Sequence, residues 1–392
     1  MSLKRGYRDN HMSKQCLGCF LSAFIIVISY GCNSDNTYFS EESWKNAFKN
    51  QKVVEGKPEK LGEFHELFKS PILSHVDEEF LYIYDSKDLV INKYSRQDCR
   101  IIGKFGRKGE GPGEFRMIYG FNVYNDFILV NSPGKNSYFS NVGKLLKEEK
   151  CPPHLIPCVM VGENFVTDEY DMPPPGGYRN PYIDRRIVLV GPDFKNKKVL
   201  FQKKLNIAIV YNPKTGTNTF TLFSDICEFR IYKNNIYIGY ANQEGFFFTI
   251  FDSFGNLRYK IERPYKKREI PEMLKKAVLK KPYRLRWNRN RSLKLKFYKY
   301  LPSFGSFEVA DDRIYIFQYP ENEYRRILIL DLKGKLIDAS LIPFNYNILE
   351  ERSYQIFYAD RKIYNAAWYY LHDNDITDRW ELWRKMLINT ID

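Results

Sequence analysis

Histidine is scarce in this chain, with five in 392 residues. Beyond the first thirty-odd residues these are His65, His75, His154 and His372, and no two stand at the spacing of zinc ligands. A histidine-built zinc centre is therefore not expected. Cysteine is also sparse, at positions 16, 19, 32, 99, 151, 158 and 227. That is too few for a disulfide scaffold in a chain of this length. Cys16 and Cys19 lie inside an N-terminal apolar run, which argues against a redox or zinc role for that pair. Cys151 and Cys158 flank "PPHLIP" and could close a small loop, although spacing alone assigns no pairing. His154 between them makes a Cys-His-Cys trio, but no second ligand pair follows at zinc spacing.

Other chemical signatures are missing too. There is no Gly-x-Ser-x-Gly elbow, and no cysteine has an evident histidine partner. The acidic stretch "HDNDITD" at 372–378 lacks the ligand order and the glycine of a calcium loop, and reads as a solvated loop. The stretch "GKFGRKGEGPGEF" at 103–115 is glycine-rich, yet it lacks what a phosphate loop needs. Gly106 and Gly111 have Walker spacing, but Pro112 stands where the lysine belongs. Gly109 and Gly111 begin a dinucleotide fingerprint, but Glu114 takes the place of its third glycine. The aromatics that follow have strand-like spacing, so no helix N-terminus is available for an anion. The stretch reads as a turn. No catalytic residue, metal ligand or cofactor is assigned, although a site assembled from distant loops would leave no such local trace.

What the chain has in plenty is aromatic side chains, 16% of residues, including 30 Tyr and 29 Phe. Aromatic and β-branched residues suit pleated, half-buried surfaces. A turn signal followed by a short aromatic and β-branched run occurs six times: "EEFLYIYD" at 78, "NDFILVN" at 125, "GENFVTDEY" at 162, "NNIYIGY" at 234, "DRIYIFQY" at 312 and "DRKIYNAAW" at 360. A second pattern follows most copies, with two strand-like runs around a Gly or Asn turn: "YFSNVGKLLKE" at 138, "IVLVGPDFKNKKVLFQ" at 187, "FFTIFDSFGNLRYKI" at 247 and "ILILDLKGKLIDASL" at 327. Each predicts a β-hairpin. The shorter intervals between copies match the ~40–50 residues of one propeller blade. Six copies with almost no helical periodicity predict an all-β, six-bladed β-propeller. A large β-sandwich is the competing architecture, but it has no reason to repeat one motif six times.

The stretch from Cys99 to Glu148 resembles an NHL-type propeller repeat. Gly109, Gly111, Gly113 and Phe115 stand for its glycine-rich turn and "G-x-F" step. Phe127 to Val130 match its "I-x-V" strand, and Tyr138 to Lys144 match the strand ending in an aromatic and "D-x-x-G-K". Asn131 departs from the usual Asp. The remaining copies match in outline, over about residues 60 to 392 as architecture. The "GEGPGEF" spelling also resembles six-bladed propeller lipoproteins of Bacteroidetes.

The N-terminus supports that resemblance. Arg5, Arg8 and Lys14 precede "CLGCFLSAFIIVISYGC". A basic start, about a dozen apolar residues and a small-residue exit describe a secretory signal. Met12 offers an alternative start with the same shape. The apolar run is short of the roughly 20 residues a spanning helix needs. The exit "ISYGC" is similar to a bacterial lipobox, which implies lipidation at Cys32; Tyr30 is larger than usual there. The alternative is an ordinary cleaved signal with a chance cysteine. The polar "NSDNTYFSEESW" that follows suits a tether.

Charge is concentrated in one place. Residues 258–299 hold 17 Lys and Arg against three Glu, a local net of +14, equal to the net of the whole chain. "IPEMLKKAVLKK" places Ile270, Leu274, Ala277, Val278 and Lys281 at helical spacing, with Pro271 at the first turn. "YRLRWNRNR" then alternates arginine with Tyr283 and Trp287. Such interleaving suits nucleic acid, but an exported lipoprotein meets phosphate-bearing membrane surfaces or anionic glycans instead. A solvated basic face over one blade is the plainer alternative.

The sequence thus predicts a signal peptide over 1–31, a tether over 32–58 and a six-bladed propeller over 59–392 with a short helical basic insertion at about 263–296. The predicted function is a monomeric binding or scaffold module in the bacterial cell envelope, on the periplasmic side or the cell surface. It is tied to a membrane through Cys32 and meets a protein partner or an anionic glycan. Lys280, Lys281, Arg284, Arg286, Trp287, Arg289 and Arg291 are the expected contacts. The alternative is a propeller lyase or hydrolase with a metal in its central channel.

Overall fold

In the computed structural model the described residues are 52–54, 57–66, 68–152, 155, 158–170, 182–206, 209–212, 215, 217–279, 293–321, 323–343, 361–364, 367–374 and 379–387. They form antiparallel meanders whose strands follow the two sequence patterns. Five copies of the first pattern become the second strand of a sheet: Phe80–Asp85, Phe127–Ser132, Asn164–Tyr170, Asn235–Ala241 and Arg313–Phe317. The turn signal before each one is the hairpin turn. Lys233 and Asn234, and likewise Asp311 and Asp312, all have positive φ, the signature of the two-residue turn that matches strand twist. The copy at 360 differs. Its aromatic run is a first strand, Arg361–Tyr364, and the second strand is Ala367–Asn374.

The second pattern becomes the hairpin between third and fourth strands. In two copies an aspartate holds the turn. The carboxylates of Asp252 and Asp331 accept hydrogen bonds from the amides of Asn256 and Lys335, at 2.9 and 2.7 Å. The glycine three residues on, Gly255 or Gly334, takes positive φ. These glycines also touch the preceding sheet. A Cβ on Gly334 would lie 2.6 Å from Ile261 Cγ2, and one on Gly143 would overlap the Lys104 carbonyl oxygen. Close approach between blades and left-handed backbone together demand glycine here.

Shared cores join the sheets in cyclic order. Phe105 and Phe139 meet between the 71–105 and 120–150 sheets. Leu129 and Val188 join the latter to the 158–206 sheet, and Ile187 and Ile238 join that to the 226–264 sheet. Phe248 and Phe307 link 226–264 to 306–343. Ile329 and Ile363 continue to the last sheet, and Leu382 with Leu73 returns to the first. The last sheet contains Arg361–Tyr364, Ala367–Asn374, Arg379–Met386 and, at its outer edge, Glu59–Glu63 from the beginning of the chain. The result is an all-β propeller closed by pairing of the N-terminal and C-terminal strands.

Three expectations need correction. The first is the count of six blades: five, not six, of the ring's sheets are four-stranded blades. The 306–343 sheet is a five-stranded array, since Lys52–Val53 adds parallel to Leu336–Pro343 and Val54 is buried beside it. The fold therefore begins ahead of residue 59. The second is the extent of the helical basic insertion. Only Glu272–Leu279 is helical among its described residues, and Leu293–Phe297 is a strand. That strand pairs parallel with Thr217–Leu222 in a separate three-stranded sheet completed by Ile209–Asn212. The third is the start of the loop at 372–378: His372–Asn374 end a strand and pair with Arg379–Glu381, while residues 375–378 lie outside the described residues.

Candidate functional site

The sequence directed attention to the basic segment. Cys32 and the expected contacts Lys280, Lys281, Arg284, Arg286, Trp287, Arg289 and Arg291 lie outside the described residues. The root of that segment is described. The chain leaves the 226–264 sheet at Pro264 and returns at Tyr300, where a bridge between Glu269 and Tyr300 closes it. The Leu301 amide donates to the Arg268 carbonyl at 2.9 Å. Ile270 and Leu274 are buried, as their helical spacing predicts, while Met273 and Leu279 each stay 52% exposed.

Many of the cations here already have partners. Lys267 pairs with Glu244 at 2.6 Å, Lys275 with Glu272 at 2.5 Å and Lys299 with Glu269 at 3.9 Å. Such exposed pairs add little to stability, but they lower the charge on offer to a ligand. A strongly basic run in the sequence is thus partly neutralised in the fold.

Arg268 and Arg326 are different. Arg268 Nε donates to the Tyr265 hydroxyl at 2.8 Å, and its Nη1 pairs with Glu321 Oε2 at 3.0 Å. Its Nη2 is shielded and has no hydrogen-bond partner. Arg326 Nη1 donates to Gln318 Oε1 at 3.2 Å, and Gln318 Nε2 donates to the Ser303 carbonyl at 3.1 Å. Burial, and then the nearby Arg268 charge, pull the Arg326 guanidinium below its ordinary value. Glu321, the carboxylate that both arginines feel, is half-exposed. Arg268 bonds the Glu321 carboxylate directly, and Arg326 feels its charge. Arg268 keeps an unused donor, and a guanidinium with a donor to spare is what an oxyanion site uses.

A second charged cluster sits at the inner edge of the ring, where first strands of adjacent sheets meet. Arg230 Nε bonds Glu308 Oε2 at 3.0 Å and its Nη2 bonds Glu228 Oε2 at 3.1 Å. Burial opposes the charge on Arg230, but Glu308 and Glu228 outweigh it and raise the guanidinium. Burial also raises the Glu228 carboxyl, against the pull of Arg230. Next to it Arg185 grips both oxygens of Asp168. This network satisfies itself: its cations carry their own carboxylates, and it ties blades together. At the other cluster Arg268 keeps a donor without a hydrogen-bond partner, so it is the stronger candidate for a ligand.

The glycine-rich loop is a connection between blades. Arg107–Lys108 pairs parallel with Glu114–Phe115, and no helix follows. The Glu114 carboxylate accepts from the amides of Gly111 and Glu110, at 2.9 and 3.0 Å, and from Arg107 Nε at 2.7 Å. The Gly111 amide, with the other partners, holds that carboxyl below the usual carboxylate range. A residue that looked like a failed third glycine is the anion that fills the loop from within.

Sequence reading found Arg268 only as one charge among 17 and missed Arg326, Glu321 and Gln318 altogether. The sole trace is "QYPENEYRR", a polar hairpin tip following an apolar strand. Among the described residues, no group of three or more His, Cys, Asp or Glu side chains is placed to hold a metal ion. No helix of the described residues is long and apolar enough to cross a membrane.

No protein-family model matches the chain, and no curated protein matches it in sequence. Among solved structures it is similar to a Bacteroides fragilis protein assigned as exported, with 14% identity, TM-score 0.48 and coverage of 86% of this chain and 98% of that one. It is also similar to the Pan2 WD40 domain of Neurospora crassa, at 8% identity, TM-score 0.36 and coverage of 87% and 98%. A third similarity is to BamB of Moraxella catarrhalis, at 7% identity, TM-score 0.27 and coverage of 79% and 70%.

Proposed function

We propose that this protein is an exported, lipid-anchored β-propeller of the cell envelope that binds an anionic glycan through the face at the root of its basic segment. The observation that carries this reading is Arg268, which bonds the half-exposed Glu321 and keeps an Nη2 without a hydrogen-bond partner, beside the Arg326 charge. A sulfate or carboxylate of the glycan would displace Glu321 and take both guanidiniums, with Arg268 Nη2 as the free donor. Lys280, Lys281, Arg284, Arg286, Trp287, Arg289 and Arg291 continue the chain from that face and extend the contact along the polymer. Trp287 offers a sugar ring an apolar face. Cys32 carries the lipid, and the polar stretch after it serves as the tether. The protein acts as a monomer, without nucleic acid. An acidic patch on a protein partner is the runner-up ligand, because the same guanidiniums would take carboxylates.

Binding of sulfated and neutral dextran, measured side by side on the full chain, tests this. Sulfated dextran should bind in a salt-dependent way, and neutral dextran should not. Glu321→Gln removes the competing carboxylate and should tighten binding several-fold; Arg268→Met with Arg326→Met should weaken it at least tenfold. Equal retention of the two polymers, or indifference to all three substitutions, ends the glycan reading. Labelling with a lipid precursor tests the anchor, and label surviving Cys32→Ala would refute it. The alternative, a propeller enzyme with a channel metal, predicts a stoichiometric ion in purified protein.

A further inference from the structure

Cys151 and Cys158 close the two ends of the "PPHLIP" link between the 120–150 and 158–206 sheets. Their Sγ atoms stand 3.7 Å apart. Both are buried, at 6% and 1% exposure. The Cys158 thiol donates to the Leu155 carbonyl at 3.0 Å, and Cys151 Sγ lies 3.8 Å from the same oxygen. The surroundings fix both ends. The Cys151 amide donates to the Gly134 carbonyl at 3.0 Å, and Cys158 is in register opposite Thr167 on the next strand. The other described thiols, Cys99 and Cys227, are buried in different cores, beside Phe64 and Tyr94 and beside Ile187 and Ile238.

Two thiols 3.7 Å apart need a side-chain movement of under about 2 Å to reach disulfide length. The link between them carries Pro152, Pro153 and Pro157, so it gains little by opening. Contact with Cys151, and then burial, pushes the Cys158 thiol up. Cys151, the less buried of the two, is the better placed to meet an oxidant.

We propose that Cys151 and Cys158 form a reversible disulfide that staples this crossover between blades, with a disulfide-bearing oxidant as the electron acceptor. The Cys151 thiolate attacks one sulfur of the oxidant, forms a mixed disulfide and expels a thiolate. The Cys158 sulfur, giving up its proton, attacks Cys151 Sγ and expels the second thiolate. One S–S bond has formed and one has broken; the two cysteines have lost two electrons and two protons, and the oxidant leaves as two thiols.

The test refolds the full chain in a mixture of reduced and oxidised glutathione, then alkylates it under denaturing conditions and maps the peptides. Cys151 and Cys158 should lose alkylation together and appear in one linked peptide, while Cys99 and Cys227 stay alkylated. Mild reduction should restore both sites and lower the melting temperature by roughly 5 °C, as loss of a short-loop crosslink does. In Cys151→Ala/Cys158→Ala the melting temperature should not respond to reductant. Free alkylation of Cys151 and Cys158 after oxidation, a persistent glutathione adduct on either, or pairing with Cys99 or Cys227 overturns the proposal. So does a response to reductant that survives in the double variant.

Discussion

Arg230 on Ile226–Tyr232 and Glu308 on Ser306–Ala310 are bonded Nε to Oε2 at 3.0 Å, across the junction of two sheets. The guanidinium also lies 5.1 Å from the centroid of the Phe307 ring, which packs edge-on against Phe248 at 4.9 Å. Polar and apolar contacts therefore act at the same blade junction. A double-mutant cycle of Arg230→Met and Glu308→Leu should give a coupling energy of about 1–3 kcal/mol in chemical denaturation. A coupling near zero would show that the pair is decoration on an apolar joint.

The same cluster predicts a pH dependence. Burial raises the Glu228 carboxyl above its ordinary value near 4.5. A raised carboxyl binds its proton more tightly folded than unfolded. Its contribution to stability is full below the unfolded pKa and is lost as pH rises through the folded one. Glu228→Gln, which cannot ionise, should thus gain stability relative to wild type between pH 4.5 and neutrality, with Glu308 still pairing Arg230. Melting curves across that window decide it; a variant that loses stability as pH rises relative to wild type contradicts the sign.

The turn glycines make a third prediction. Gly143 has φ of +95° and abuts the Lys104 backbone on the neighbouring sheet. Gly143→Ala should cost roughly 2 kcal/mol from left-handed strain and backbone overlap together. Gly120, where a Cβ would meet nothing within 4 Å, supplies the control. Gly120→Ala should leave the denaturation midpoint within about 0.5 kcal/mol of wild type. Equal effects of the two substitutions would show that the close approach at Gly143 is not limiting.

Local order could be read from the chain, because it rests on near neighbours. Aromatic and β-branched runs became strands, and glycine with aspartate became the hairpin turns, each within about fifteen residues of its partner. The propeller class followed, since repeated hairpins bury their faces only against one another. The exact set of blades did not. The copy at 360 slipped to a first strand, and Lys52–Val53 joined a sheet whose partner strand begins at Leu336, a pairing that no local pattern encodes. The glycine-rich loop was correctly read as a turn, but Glu114 as its internal ligand appears only when the amides of Glu110 and Gly111 converge.

The site shows the same division. Composition located the positive charge between 258 and 299, because charge is counted residue by residue. Which of those charges remain available is a matter of partners far along the chain. Glu244 neutralises Lys267 across 23 positions, and Glu321 pairs with Arg268 across 53. Folding desolvates and pairs charges by distance in space, and a linear sequence carries no record of that distance.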